Sequence, residues 1–362
     1  MISIILDCRR LARDPTSELA CECLVRLTKS DPGLECFILR ERFDDPEPAC
    51  FAPVKPLQMA TSFWNRWRIS SQMRRLLRKY QTKLLIGNPP METTRLPVHY
   101  GFLVGGQSLQ AVPAKASHRV KKSWSGAAVI LTDSVNSQEL IIERFSVQPD
   151  KVVVLSAAPN EYFRPLDQEQ KNGVRAFYTG SKDYFFSLLQ EARPEQLTHL
   201  LKAFAIFKKK QQSNMHLVIA GISQATMQLF SAQKDSFRYR DDLHFLGALT
   251  TSETARLMAS SYGLIQAFDA HHAMTVLNAF QALTPVIAVK ENAIREVAGD
   301  AILYTTGTDY EALATQMILL YKDEGLRSHL IENGCTRLQH FNWEKSMIQF
   351  RAGILKAIQG YP

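Results

Sequence analysis

Short apolar, β-branched runs alternate with helix-length segments along almost the whole chain, and this alternation limits the fold more than any other feature. A strand buried on both faces reads as a continuous apolar run, and such strands need helices on both sides of their sheet. In the first half the runs are Ile2–Leu6, Glu35–Leu39, Leu84–Ile86, His99–Leu103, Ala128–Thr132 and Lys151–Leu155. In the second half they are Val174–Tyr178, His216–Ala220, Leu243–Phe245, Gly263–Gln266, Pro285–Val289 and Ala301–Tyr304. Parallel sheets covered by helices are the expected result. Thr250 with Glu253, and Thr308 with Glu311, have the spacing of capping boxes at helix starts.

A chain of 362 residues is too long for one ordinary core and suits two domains. The alternation pauses over 157–173, where proline, polar residues and Gly173 predict an interdomain link. In open α/β sheets ligands sit at the carboxyl ends of the strands, so two facing domains place a site in the cleft between them.

Composition removes several classes. No apolar run reaches the ~20 residues that span a bilayer. The start, MISIILDCRRLA, has only Ile2–Leu6 as an apolar stretch and reads as a first strand rather than a signal peptide. Five of the six cysteines fall in the first 50 residues without metal-ligand spacing, and read as reduced thiols of a cytoplasmic protein. Neither a nucleophile elbow, a phosphate-loop lysine motif, H-E-x-x-H, C-x-x-C nor a G-x-G-x-x-G after the first strand is present.

Net charge is +8 and unevenly spread. From Trp64 to Lys83 there are seven Lys or Arg and no acid, with Trp67, Met73, Leu76, Leu77 and Tyr80 near helical spacing. Two readings stay open. The segment is a basic amphipathic helix lying on an anionic membrane, aided by Phe63, Trp64 and Trp67, or an ordinary half-buried helix with a solvated basic face. A second cluster at Lys115–Lys122 adds to the idea of one positive face. Without a recognition motif, nucleic acid is not an expected partner.

From Phe245 to Tyr304 the chain reads FLGALTTSETARLMASSYGLIQAFDAHHAMTVLNAFQALTPVIAVKENAIREVAGDAILY. This stretch resembles the C-terminal half of family 4 glycosyltransferases, the retaining GT-B enzymes. Val129–Leu140, Lys151–Pro165, Phe177–Ser181, Leu197–Phe204, His216–Gly221, Pro285–Ile287, Glu296–Leu303 and Phe341–Glu344 match further family segments in order. The resemblance implies a GT-B fold: two Rossmann-like, doubly wound parallel-sheet domains facing across a cleft. The domains fall at 1–158 and 159–342, with a last helix over 343–362 crossing back to the first.

The resemblance also implies a site, and the chain departs from it. The family's glycine-rich turn after the first strand corresponds to Arg13–Leu19, which has no glycine and holds Pro15. The basic residue that meets the donor diphosphate falls on Glu195, with Arg193 and Lys182 as substitutes; Gly180 and Ser181 precede Lys182. The family's two glutamates fall on Ala270 and Asn278. The second of these binds the nucleotide ribose, and Asn278 has one acceptor and one donor to offer there. His271 and His272 replace the small turn before the helix starting near Met274 and Thr275, where backbone N–H groups attract phosphate. They read as phosphate-binding histidines or as loop histidines. Leu249 falls in the base-binding loop. His99 aligns with the family's strand-end histidine near the donor sugar, with hydrogen bonding or proton transfer as its implied role; its bland alternative is a structural histidine.

Two functions follow. One is an active, retaining, metal-independent glycosyltransferase moving a sugar from a nucleotide-diphosphate donor to a glycan or lipid-linked acceptor, without a cofactor. It is placed in the cytoplasm, peripheral on the inner face of the membrane through 64–83. The other is a catalytically silent GT-B subunit that serves a protein partner.

Overall fold

The computed structural model describes residues 2–7, 15–40, 54–58, 66–87, 98–105, 109, 118–189, 194–224, 227–228, 237–267, 273–307 and 309–359. The chain forms two compact units, Met1–Ala157 with Trp343–Pro362, and Ala158–Asn342.

The first unit holds a seven-stranded sheet in the order β3-β2-β1-β4-β5-β6-β7. Its strands are β1 (Ile2–Asp7), β2 (Leu34–Arg40), β3 (Lys55–Gln58), β4 (Thr82–Gly87), β5 (His99–Val104), β6 (Val129–Thr132) and β7 (Val152–Val154), and every pairing is parallel. β3 was not legible as a strand, because Lys55 and Pro56 interrupt any apolar run. Proline is tolerated there because β3 is an edge strand.

Register sorts the side chains into two faces. Ile4, Leu6, Cys36, Ile38, Leu84, Ile86, Leu103, Val129 and Leu131 pack under α1 (Pro15–Ser30) and the C-terminal helix Trp343–Gln359. That last helix therefore belongs to the first unit. Gly353 is its contact point: a Cβ there would stand 2.9 Å from Val153 Cγ2. On the other face, Met73 and Leu77 of α2 (Arg66–Lys79) cover Ile5, Phe37, Leu39, Leu57 and Leu85. Trp124 of α3 (His118–Ser125), with Ile141 and Phe145 of α4 (Val135–Phe145), covers Phe102, Val104, Ile130 and Val152. Since Ile5 pairs with Leu85, Leu85 with Tyr100, and Phe102 with Ile130, α2, α3 and α4 lie on one side of the sheet. The described part of α2 is thus a half-buried helix with Arg75, Arg78 and Lys79 in solvent. Phe63 and Trp64, and the side chain of Trp67, lie outside the described residues.

The second unit holds a six-stranded parallel sheet in the order β10-β9-β8-β11-β12-β13. The strands are β8 (Tyr184–Leu188), β9 (His216–Ala220), β10 (Leu243–Phe245), β11 (Gly263–Gln266), β12 (Val286–Val289) and β13 (Leu303–Thr305). The strand expected at Val174–Tyr178 is helical instead, inside α5 (Gln168–Thr179). Asp167 and Gln170 start that helix with a reciprocal capping box, and Gly180 ends it at φ 58°. The strand of this region is β8, whose Tyr184, Phe185 and Phe186 are fully buried. α6 (Pro194–Gln211) and α10 (Tyr310–Lys322) cover one face through Leu197, Leu200, Phe204, Leu313 and Met317. The remaining helices are α7 (Thr251–Ser260), α8 (Ala273–Gln281), α9 (Asn292–Ala298) and α11 (Glu324–Leu338); the C-terminal helix Trp343–Gln359 is α12.

The capping box expected at Thr250 is present, with Glu253 N–H donating to the Thr250 hydroxyl at 3.2 Å and Thr250 N–H to the Glu253 carboxylate at 2.8 Å. Asp309 caps α10, accepting from Glu311 and Ala312 N–H; Thr308, where the second box was expected, lies outside the described residues.

α8 ends in a turn at Leu283, which sits at φ 55° and is 39% exposed. Glycine adopts this left-handed conformation freely, whereas a Cβ strains it by roughly 1–2 kcal/mol. Leu283→Gly is expected to stabilise the protein by about 1 kcal/mol in urea unfolding, since little leucine burial is lost. Any destabilisation would show that the leucine packs better than its exposure indicates.

Candidate functional site

Ligands of open α/β sheets bind outside the carboxyl ends of the strands, where the strand order reverses direction. In the second unit the chain runs from β8 outward to β9 and β10, then returns to β11 on the other side of β8. The reversal point is therefore between β8 and β11. Right-handed crossovers send the helices that follow these two strands, α6 and α8, to opposite faces. The carboxyl ends here are Leu188–Leu189 and Gln266–Ala267, and the helix starts are Pro194–Glu195 and Ala273–Thr275.

The start of α8 supplies what an anion needs. Its first backbone N–H groups have no partner inside the helix and carry the positive end of the helix dipole. Thr275 stands in this first turn, half-buried. At the start of α6 the charge has the opposite sign: Glu195 is the second helical residue and is exposed. A carboxylate suits a helix start but repels a phosphate. Arg193, Ala270, His271 and His272 lie outside the described residues. They belong to the stretches 190–193 and 268–272, which connect these strand ends to α6 and α8.

The neighbouring strand ends are tied together. Gly221, at φ 82°, donates its N–H to the Gly247 carbonyl at 3.0 Å, and Leu246 N–H bonds Ile219 at 2.8 Å. Leu249 follows, half-buried, just before the α7 cap at Thr250. It is on the carboxyl side of β10, as a base-binding loop requires. At β13, Lys290 N–H bonds the Thr305 carbonyl at 2.9 Å, and Gly307 lies close enough to β11 that a Cβ would stand 3.3 Å from the Ala267 carbonyl.

The structure also places Asn278, His99 and the turn Gly180–Lys182. Asn278, in the second turn of α8, is buried and its Oδ1 is already used: it accepts the Asn160 backbone N–H at 2.8 Å. Gln281 Nε2 reaches the Asn160 carbonyl at 3.4 Å, and Asn160 Oδ1 accepts Tyr162 N–H at 3.0 Å. A backbone N–H only donates, so the amide orientation of Asn278 is fixed, with the second lone pair of Oδ1 and the hydrogens of Nδ2 remaining to meet a ligand.

Gly180, Ser181 and Lys182 precede β8 rather than follow it. They sit at the amino edge of the sheet, about 17 Å along the strand from its carboxyl end. His99 opens β5 and is likewise at the amino edge, whereas the carboxyl end of β5 is Val104–Gly105. Burial, and then the nearby Lys83 ammonium, hold its imidazole below the usual histidine range. The catalytic reading of His99 does not survive this placement.

In the first unit the strand order reverses between β1 and β4. Of the stretch from Arg13 to Leu19, Pro15–Leu19 are helical: Pro15 is the first residue of α1, a position where its missing N–H costs nothing, and Arg13 and Asp14 lie outside the described residues.

One polar cluster escaped sequence reasoning. Lys208, 6% exposed, pairs with Asp242 at 2.8 Å and donates to the carbonyls of Ser213 and Met215. His216 Nδ1 and His244 Nε2 share a proton at 2.7 Å, and His216 Nε2 is 3.5 Å from Asp242. Burial and then His244 hold the His216 imidazole below the usual range. His216 begins β9, so the cluster sits at the amino edge and locks the end of α6 to β9 and β10. Among the described residues, no three His, Cys, Asp or Glu side chains converge on a metal position, and no helix is long and apolar enough to cross a membrane.

The family model described as glycosyl transferases group 1 matches residues 176–337. The O-antigen chain mannosyltransferase B of Escherichia coli is 20% identical over 230 residues, which are 63% of this chain and 60% of that relative. The aligned part therefore spans less than two thirds of the relative's length. Among solved structures, a glycosyltransferase from Rickettsia africae ESF-5 superposes with a TM-score of 0.80 at 13% identity, covering 100% of this chain and 99% of that one. HepE of Anabaena in complex with UDP-glucose gives 0.76 at 11% identity, covering 98% and 100%. Likenesses at this identity show the fold, which is that of the GT-B glycosyltransferases.

Proposed function

We propose that the protein transfers a sugar from a nucleotide-diphosphate donor to a glycan or a lipid-linked acceptor. The observation that carries this reading is the reversal point between β8 and β11. There the free N–H groups of α8 meet the carboxyl edge, inside the stretch that the glycosyl transferases group 1 model matches. The mannosyltransferase relative and the UDP-glucose complex of the Anabaena structure support the same class of donor.

Holding the donor and offsetting charge on the departing diphosphate are the protein's tasks in such a reaction. The α8 N–H groups, His271, His272 and Arg193 supply positive potential, Asn278 Nδ2 donates to the ribose, and backbone around Leu249 meets the base. Retention of anomeric configuration, independence of a metal and a cytoplasmic location are part of the proposal.

Calorimetry with UDP and GDP tests it. The wild type is expected to bind at least one of them. Glu195→Lys is expected to tighten that binding by about tenfold, roughly 1.4 kcal/mol, and to make it more sensitive to salt, because a repulsive charge at the α6 start becomes an attractive one. Binding by the Glu195→Lys protein alone would indicate a silent GT-B subunit. If neither protein binds either nucleotide, the reading fails.

A further inference from the structure

The amino edge of the first unit's sheet carries a dense group of cations that the proposed reaction does not use. Arg78 and Lys79 form the exposed last turn of α2, and Lys83 follows, exposed, as the second residue of β4. Lys121 and Lys122 are exposed near the end of α3. That end is pinned to β5, since the Tyr100 hydroxyl donates to the Ser123 carbonyl at 3.0 Å. Lys151, just before β7, donates its ammonium to the Ser125 carbonyl at 3.1 Å and so joins the same corner.

β4 through β7 are consecutive neighbours in the sheet, and α2 and α3 cover the same face of it. Three strand spacings put the group within a band about 15 Å wide. Two basic segments some 40 residues apart in sequence are thereby merged into one surface. The acids nearby do not cancel it. Asp150 is held by Lys356 at 2.9 Å, and Glu143 is an exposed acid on α4. None of Arg78, Lys79, Lys83, Lys121 and Lys122 pairs with a carboxylate among the described residues.

We propose that this edge docks the protein on an anionic lipid bilayer. The chemistry favours lipid headgroups over nucleic acid. Among the described residues the aromatic rings of the region, Tyr80, Tyr100 and Trp124, are engaged in the two core clusters rather than presented for stacking on bases. Attachment is electrostatic, without insertion by the described part of α2: Met73 and Leu77 are 6% and 1% exposed, and Leu76, half-buried, packs against the same cluster. Each cation near an anionic leaflet improves partitioning by roughly fivefold, an effect that salt screens. The patch is at the edge opposite the carboxyl ends, so docking leaves the ligand edge of that sheet open. The inference names a partner for the proposed transferase, but bilayer binding itself stands whether or not the transfer activity does.

Sedimentation with vesicles tests it. Phosphatidylcholine vesicles with and without 30% phosphatidylglycerol are the probes, at about 50 and 300 mM salt, spanning Debye lengths from roughly 14 to 6 Å. The wild type is expected to bind only the anionic vesicles and to lose at least tenfold in partitioning at the higher salt. Lys121→Glu with Lys122→Glu is expected to lose at least tenfold at low salt. The control, Lys209→Glu with Lys210→Glu on exposed positions of α6, makes the same charge change in the other unit and is expected to stay within about twofold. All replaced residues are exposed, so melting temperatures report that the proteins stay folded. Equal losses in both double variants, or equal binding to neutral vesicles, overturns the proposal. So does tighter, patch-dependent binding to a duplex oligonucleotide than to vesicles. Nucleotide calorimetry on the same samples separates this outcome from failure of the transferase reading.

Discussion

Trp124→Ala is expected to lower the unfolding free energy by about 3–5 kcal/mol, the usual cost of deleting a large buried aromatic side chain. Trp124 is 1% exposed and stacks on Phe145 with ring centroids 4.0 Å apart and an interplanar angle of 15°. Phe102 lies 5.6 Å away, its ring tilted by 46°. The loss is expected at the high end for a structural reason. α3 has eight residues, too few to be helical by itself, and Trp124 is its buried anchor in the cluster of Phe102, Ile130 and Phe145. Urea unfolding of the wild type, Trp124→Ala and Trp124→Phe measures it, with Phe restoring more than half of the loss. Because Lys121 and Lys122 ride on α3, the alanine protein is also expected to bind anionic vesicles more weakly at temperatures where it remains folded. A loss below about 1 kcal/mol would mean that α3 is held by something other than this stack.

Much of the fold is legible in the sequence because parallel strands covered on both faces leave a local mark. Ile2–Leu6, His216–Ala220 and Gly263–Gln266 are continuous apolar runs, and each is a strand. The error at 174–178 has a physical cause. Val174, Phe177 and Tyr178 have strand-like side chains, but the signals that decide are at the ends: the Asp167–Gln170 cap and Gly180 in the left-handed region. Phe177 is 81% exposed, which no buried strand would allow.

Side-chain roles were less legible than elements, because the sequence reveals a strand more readily than its two edges. His99 and Lys182 were assigned to a ligand edge, and each precedes or begins its strand, so both fall at the opposite one. The Lys208–Asp242–His216–His244 cluster had no local signal, since its members are gathered from α6, β9, β10 and the turn before β10. Asn278 stood out through the resemblance, as the position of the family's second glutamate. Its partner Asn160, 118 residues away, did not.

Asn278→Ala is expected to destabilise the second unit by about 1–3 kcal/mol, the cost of leaving a part-buried donor without its acceptor. The group at risk is Asn160 N–H, whose bond to Asn278 Oδ1 is 2.8 Å long. Asn160 is otherwise a junction: its carbonyl accepts from Phe163 N–H at 3.0 Å, its side chain accepts from Tyr162 N–H, and Phe163 is 5% exposed. Losing the clasp therefore loosens the turn that seats Phe163, and the Gln281 contact, in which Nε2 donates to the Asn160 carbonyl at 3.4 Å, gives the Asn160 N–H no acceptor. Asn278→Asp separates the clasp from the amide itself. A carboxylate accepts from Asn160 N–H but has no N–H to give a ribose. The aspartate protein is expected to keep more than half of the lost stability and the slow hydrogen exchange of the Asn160 amide, and to bind nucleotide more tightly than the alanine protein does, through the carboxylate oxygen left free to accept a ribose hydroxyl. Equal stability of all three proteins would show that the hydrogen bond holds nothing. Equal nucleotide affinity of all three would instead place the ribose elsewhere, leaving this asparagine purely as the fastening of the chain at Asn160.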